Sequence, residues 1–411
     1  MKHLIITAAL SFLASNLFSQ ENNPLVNSGQ IIGQAVKLHD EGKYKEAISL
    51  YKQIPEADTN YYQALYEMAY SMVSDSQYTE ALSTIKTGLS IANTHFPSLY
   101  SLYGSVTDNM GDPAKALLIF DTALNKYPSF SELYLNKGIT LLNQKQYTKA
   151  EEVLKMGLLV NPYLGSLHYK LGYGALQQGK TVQAFLSFVS YLLLQPAGKY
   201  KNSCINYLSQ ISKGSDEIKQ LSDSRETEMS DQFLTLERII YSRIAFDKKY
   251  DPLIKLDDQI SRQIQVILEK VEYDEKDNDF WMQYYVPLLK SFYAEKKFEP
   301  FIYRIFADVK MDVIQDYIKK REKNLDEIVN NTVNYLNKIR ETRELNYSKR
   351  NEMSTLFHFE NGVLIAKGNT KDNGEKLVGD WEFYYSPGNL SSKGKYDDDG
   401  KRTGLWQYFF F

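Results

Sequence analysis

Five alanines in the first half of the chain stand at an almost constant spacing of 34, 35, 34 and 34 residues: Ala47, Ala81, Ala116, Ala150 and Ala184. This length suits two short helices with their turns, and a small residue at one fixed position lets two helices approach closely. One such pair cannot bury its own apolar face, so neighbouring pairs must stack. The spacing therefore predicts five helix–turn–helix units over residues 28–198.

Other positions of the repeat carry the same residue type at fixed offsets. Glycine stands twelve residues before three of the alanines, and proline twelve residues after the same three: Gly104, Gly138 and Gly172, then Pro128, Pro162 and Pro196. The proline ends the second helix because it lacks an N–H donor and clashes with the preceding turn. This pattern resembles the tetratricopeptide repeat family. The resemblance implies a right-handed superhelical solenoid of α-α hairpins that binds other proteins, and we expect a capping helix at 200–212.

The first 19 residues have the pattern of an export signal. Lys2 precedes an apolar run from Leu4 to Leu13, which is shorter than the roughly 20 residues of a membrane span. We predict cleavage before Gln20, with an uncleaved anchor as the alternative, and no transmembrane helix in the mature chain. Cys204 is the only cysteine, so the chain is expected to lack both lipid attachment and an internal disulfide. The protein is expected in the periplasm or associated with the cell envelope. It is not expected to be a lipoprotein.

The rest of the chain divides by pattern. A polar stretch at 213–231 is the predicted boundary, followed by a helical middle domain at 232–348. Its aromatic segment, broken at Pro287 and Pro300, predicts two or three short helices. Apolar residues from Ile314 to Ile339 predict one long helix that packs on its own domain, with a coiled-coil partner surface as the alternative.

The last residues alternate like β-strands, and two Gly-x-Trp phrases ending at Trp381 and Trp406 recur 25 residues apart. This tail resembles the bacterial variant of the MORN repeat and predicts a small antiparallel β-hairpin sheet over 355–411. Members of that family carry antitoxin, scaffolding or membrane-association roles. The run from Asp397 to Gly400 is expected to be a hairpin turn, because it lacks the ligand spacing of a calcium loop.

Charge and motifs limit the chemistry. The repeat region has thirteen basic and fourteen acidic residues, which excludes a basic footprint for nucleic acid. The sequence contains no paired histidines at helical spacing, no phosphate-binding loop and no nucleophile elbow. We expect no metal, no cofactor and no enzymatic activity, with an enzyme site in the middle domain as a minor alternative. His168 is predicted to be a core or rim histidine, and Glu151 and Glu152 to be surface charges.

In the tetratricopeptide family, positions five and nine of each first helix commonly meet the ligand. Here those positions predict a partner-binding groove that is apolar and aromatic: Ile32, Val36, Tyr66, Tyr70, Leu135, Ile139, Tyr169 and Tyr173. Without lysine and asparagine at these positions, a clamp for a partner's terminal carboxylate is not expected. The groove holds either an apolar partner segment or the chain's own middle helices.

The sequence thus predicts an exported interaction or scaffold protein that binds an unidentified partner protein through this groove. In the alternative interpretation, the β tail is the active module. It would dock on the cell envelope or neutralise a toxin, and the helices would serve as its adaptor.

Overall fold

The computed structural model describes residues 26–91, 97–277, 279–294, 297–342, 344–350, 353–360, 363–371, 376–385 and 390–409. The predicted export signal at 1–19 lies outside these residues. The chain forms two compact units, the first ending at Val106 and the second beginning at Thr107.

In the described part of the repeat region, residues 26–91 and 97–198, ten helices form five consecutive helix–turn–helix pairs, as predicted. The pairs are α1 Ser28–Asp40 with α2 Tyr44–Tyr51, α3 Tyr61–Ser74 with α4 Tyr78–Ser90, α5 Pro97–Asn109 with α6 Pro113–Lys126, α7 Ser131–Asn143 with α8 Tyr147–Val160, and α9 Gly165–Gln177 with α10 Thr181–Leu194.

The repeated small residues lie where the two helices of a pair meet. All five alanines are fully buried. A Cβ on Gly138 would stand 2.5 Å from Leu154, and one on Gly172 would stand 2.9 Å from Phe188. The predicted ends of the second helices are confirmed, since α6, α8 and α10 all end two residues before their proline. The sequence repeat therefore marks the interhelical contacts directly.

The turn inside every pair contains one residue in the left-handed backbone region. The five residues have φ between 57° and 88°: Gly42, Ser76, Gly111, Lys145 and Gly179. Glycine adopts this conformation without strain, whereas a side chain makes it unfavourable. Ser76 and Lys145 therefore carry a conformational cost that the other three turns avoid.

Replacing Ser76 or Lys145 with glycine is expected to raise the free energy of unfolding by about 0.5–1 kcal/mol, because the strained side chain is removed. Gly111→Ala is the matched reverse change, since no atom lies within 4 Å of the added Cβ and only the φ of 88° opposes it. It should lose about 1 kcal/mol in denaturant unfolding. Equal destabilisation by all three changes would contradict this account of the turns.

Among the residues described after the repeats, nine further α-helices follow: α11 Lys201–Lys213, α12 Asp216–Asp223, α13 Asp231–Ser242, α14 Gln259–Lys270, α15 Phe280–Tyr284, α16 Val286–Ala294, α17 Phe298–Ile305, α18 Asp312–Lys320 and α19 Glu322–Thr342. The aromatic segment forms three short helices, α15 to α17. The prediction of a single long helix from Ile314 to Ile339 is wrong. The segment is divided into α18 and α19 at Arg321, where φ is −134° and the residue is not apolar.

The helices after the repeats pack mainly on α10, with further contacts to α8 and α9. Every residue of α10 from Thr181 to Leu193 is buried. Arg304 of α17 donates to the carbonyl oxygens of Leu193 and Leu194 and so satisfies the end of α10. The polar stretch at 213–231 includes α12, and Arg225 from the same stretch donates to the Gly179 carbonyl at 2.8 Å. This stretch is thus bound to the last pair.

The tail is an antiparallel sheet in which strands follow their order in the chain: β1 Glu344–Arg350, β2 Met353–Glu360, β3 Val363–Lys371, β4 Lys376–Tyr384, β5 Leu390–Tyr396 and β6 Arg402–Tyr408. The predicted small β sheet is confirmed. It begins earlier than expected, because residues 344–348 form a strand although they were assigned to the helical middle domain. Tyr384 of β4 is buried in the same apolar cluster as Tyr134 of α7.

Candidate partner-binding surface

The eight predicted groove residues divide between the two compact units. Ile32, Val36, Tyr66 and Tyr70 belong to the first unit. Ile32 is buried with Ala35 and Val36 packs beside that cluster. Tyr70 is 44% exposed, which is unusual for a ring of this size in a folded core. The solvent-facing part of this half is therefore formed by the tyrosines of α3.

These rings form an ordered aromatic array, which we define as His39, Tyr44, Tyr66 and Tyr70. Tyr66 and Tyr70 lie one helical turn apart and are parallel within 2°, with centroids 6.3 Å apart. Tyr70 stacks on His39 at 4.9 Å, and His39 meets the edge of Tyr44 at 5.1 Å. Aromatic pairs at these distances stabilise one another, so Tyr70 is held in place although it is exposed.

Hydrogen bonds fix the histidine of the aromatic array. The Ser71 hydroxyl donates to the Glu67 carbonyl oxygen at 2.9 Å. Since that hydroxyl hydrogen is used, the His39 Nδ1–H donates to Ser71 Oγ, also at 2.9 Å. The ring on which Tyr70 stacks is therefore anchored to α3 itself.

The carboxylate of Glu67 lies half-buried beside the array. Burial raises its pKa, and the negative charge of Asp40 raises the pKa further. Both carboxylates also raise the pKa of the buried Tyr51 phenol, although burial of that phenol is the larger cause. The surface is thus acidic as well as aromatic, a property that the groove positions alone did not predict.

In the second unit, the predicted groove tyrosines contact the helix that follows the repeats. Tyr169 stacks on Tyr200 with centroids 3.9 Å apart and planes within 9°. Tyr173 approaches Tyr207 at 6.5 Å. Tyr200 directly precedes α11 and Tyr207 lies within it, so the predicted capping helix covers these two tyrosines. The middle helices, which were the predicted alternative occupant, pack mainly on α10 and also contact α9, where Tyr285 meets His168.

Leu135 and Ile139 of α7 are both half-buried. Leu135 packs against the large apolar cluster of the second unit, whereas Tyr134 beside it is buried. Their surroundings favour a packing role.

His168 is a core residue, as predicted, with 1% of its surface exposed. Its Nε2–H donates to the Pro162 carbonyl at 2.9 Å, so the neutral Nδ1 accepts from the Tyr285 hydroxyl at 3.0 Å. Burial lowers its pKa from 6.5 to about 4, although the Pro162 carbonyl opposes this shift. The histidine links α9 to the middle helices in its uncharged form.

The lowered pKa gives a signed pH prediction. Because the unfolded chain binds a proton at His168 that the folded chain does not, stability falls as pH drops from 6.5 towards 4. Between about pH 7 and pH 5 the loss should be about 2 kcal/mol. His168→Gln should lack this component of the loss, as measured by urea unfolding followed by circular dichroism of the helices. An equal loss in both proteins would contradict the assignment.

Glu151 was predicted to be a surface charge, and this prediction is wrong. Its side chain is buried, whereas Glu152 is exposed. Glu151 pairs with Lys155 and, at 2.6 Å, with Lys180. It also accepts from the Trp281 indole N–H at 3.3 Å. Burial would raise the pKa of Glu151, but the two lysine charges outweigh it and hold the pKa at about 2. Sequence analysis missed this site because Trp281 comes from a distant helix.

Other predicted features have simple placements. Asp397 forms the hairpin turn between β5 and β6, where its carboxylate accepts from the N–H groups of Asp399 and Lys401. Within the described ranges, no group of three potential metal ligands occurs. No helix in the part of the chain that the structure covers is both long and apolar enough to cross a membrane.

Comparisons with known proteins support the tetratricopeptide resemblance. A family model of the tetratricopeptide repeat matches residues 110–163. A thermophilic TPR protein of Thermus thermophilus is 20% identical over 44% of this chain and 97% of its own, with a TM-score of 0.39. YrrB, described as a TPR protein with an unusual peptide-binding site, is 17% identical over 47% of this chain and 97% of its own, with a TM-score of 0.32. No curated protein matches the chain.

Proposed function

We propose that this chain is an exported, non-enzymatic scaffold protein that binds an apolar or aromatic segment of a partner protein on the inner face of α1 and α3. The repeat match at 110–163 supports a role in protein–protein interaction. The observation that carries the proposal is the exposed Tyr70 ring, which stacks on His39 and lies parallel to Tyr66. A preordered exposed aromatic residue gives a large contact area at low entropic cost, as in binding hot spots.

The two halves of the predicted groove have different roles in this proposal. Tyr66 and Tyr70 bind the partner, while Tyr169 and Tyr173 hold α11 in place. The binding role of Leu135 and Ile139 stays a prediction. Tyr384 and Leu390 of the tail join the apolar cluster of the second unit, which favours a structural role for the β sheet over an independent module. The resemblance of the tail to MORN repeats also stays a prediction.

Affinity capture from the producing cells tests the binding role. Tyr70→Ala should reduce the recovered amount of each specific partner by about tenfold or more, because a hot-spot aromatic contributes at least 2 kcal/mol. It should lower the melting temperature only modestly, because the ring is 44% exposed and loses only its stacking on His39 and Tyr66. Leu118→Ala is the control, because Leu118 is 67% exposed but lies on a second helix. Equal recovery with the Tyr70 variant would contradict the proposal.

Location needs its own measurement. Mass spectrometry of the protein from the envelope fraction should find an N-terminus at Gln20, as the export signal predicts. An N-terminus at Met1 in a cytoplasmic fraction would contradict export but not binding.

A further inference from the structure

The aromatic array lies beside uncompensated negative charge. Glu67 lies three residues before Tyr70 in α3, so these two side chains are neighbours on the helix surface, and Tyr66 lies four residues before Tyr70. Asp40 ends α1, next to His39 of the array. Among the described residues, neither Glu67 nor Asp40 has a cation within ion-pair distance.

A half-buried carboxylate without a counter-ion carries an unfavourable free energy that a bound cation would relieve. The raised pKa of Glu67, caused by burial and then by Asp40, reflects this environment. Residues 26–91 also hold eight acidic and five basic side chains, so the surrounding field attracts cations. Anionic ligands and anionic lipid surfaces are disfavoured by the same field.

The exposed part of the Tyr70 ring favours the same kind of ligand. Aromatic faces attract cations, and the guanidinium of arginine stacks on them because it is planar and weakly hydrated. Its fork of N–H donors also matches a carboxylate, whereas the lysine ammonium offers only a point charge. One arginine could therefore stack on Tyr70 while it donates to Glu67.

We propose that the partner segment presents an arginine, which stacks on Tyr70 and pairs with Glu67, among apolar or aromatic residues. This inference rests on the function proposed above and names the chemistry of the partner. It distinguishes this surface from a purely apolar groove, in which burying an arginine would weaken binding.

The experiment is selection of a displayed random peptide library on the full-length protein. Peptides retained by the unaltered protein should be enriched in arginine next to apolar or aromatic residues. A selected peptide should bind Tyr70→Ala and Glu67→Gln each about tenfold more weakly or worse. Replacing its arginine by citrulline should also weaken binding, but by less in the Glu67→Gln protein, where the ion pair is already lost and only the attraction of the cation to Tyr70 remains to be removed. Leu118→Ala serves as the folded control.

The outcomes separate the two proposals. Peptides that depend on Tyr70 but contain no basic residue, or that bind Glu67→Gln equally well, would overturn the arginine inference and leave the binding surface standing. Enriched peptides that ignore Tyr70, or no enrichment at all, would overturn the binding surface as well. Selection of lysine in place of arginine would also overturn the stacking argument.

Discussion

Replacing Glu151 with alanine should lower the free energy of unfolding by about 3–5 kcal/mol, the usual cost of breaking a buried ion pair by removing one partner. The Lys155 and Lys180 side chains are only 13% and 12% exposed, so the change leaves two cations with little water. It also removes the acceptor of the Trp281 indole. Urea unfolding followed by tryptophan fluorescence and by circular dichroism of the helices measures the loss.

Glu152→Ala is the matched control, because the neighbouring carboxylate is exposed and should change stability by about 0.5 kcal/mol or less. Glu151→Gln should lose less than the alanine variant, since an amide still accepts from Trp281 but leaves the lysines unpaired. If Glu151→Ala and Glu152→Ala were equally stable, the buried network would not link the repeats to the middle helices.

Alanine at Gly368 or Gly394 should destabilise the β tail by about 1–3 kcal/mol each, as overpacking does in a tight core. A Cβ at either position would stand 2.3 Å from an indole ring, that of Trp381 over Gly368 and that of Trp406 over Gly394. The Trp381 indole also donates to the Asn369 carbonyl at 2.9 Å and cannot move without losing that bond. A red shift of tryptophan emission at lower denaturant would report the loss.

Gly33→Ala provides the control for these two changes. Gly33 lies within α1, where no atom stands within 4 Å of an added Cβ. There the substitution should stabilise by about 0.5–1 kcal/mol, because glycine is a poor helix former. If all three variants lost stability alike, close packing under the indoles would not be the reason for these glycines.

The sequence predicted the five helix pairs because each repeated residue serves a local purpose. The alanines set the helix contacts, the prolines end the second helices, and the turn positions need a left-handed backbone. Even the two non-glycine turns, Ser76 and Lys145, keep the conformation of their glycine counterparts. The alternation around Trp381 and Trp406 likewise specified strands, since period-two patterns place side chains on one face of a sheet.

Long-range packing was not predictable in the same way. Glu151 has the neighbours of a surface residue in its own helix, and it is covered by residues from later in the chain: Gln178, Lys180 and Trp281, the last of them 130 residues away. Tyr169 and Tyr173 occupy groove positions, but the rings of Tyr200 and Tyr207 lie against them. Repeat positions identify which side of a helix faces inward, whereas the later course of the chain decides what covers that side.

The same distinction explains the acidic character of the candidate site. The groove positions contain Tyr66 and Tyr70 but omit Glu67 and Asp40, whose proximity depends on how α1 packs beside α3. Position-by-position interpretation therefore predicted an apolar surface, while the packed helices combine rings with carboxylates.

Site-specific photo-crosslinking in the producing cell tests the division of the groove most directly. A photoreactive phenylalanine analogue at position 70 should crosslink to a partner protein, and the same analogue at position 173 should crosslink only within the chain, to the segment around Tyr207. Crosslinks to a partner from position 173 alone, with none from position 70, would contradict the central claim that the exposed face of α3 is the binding surface.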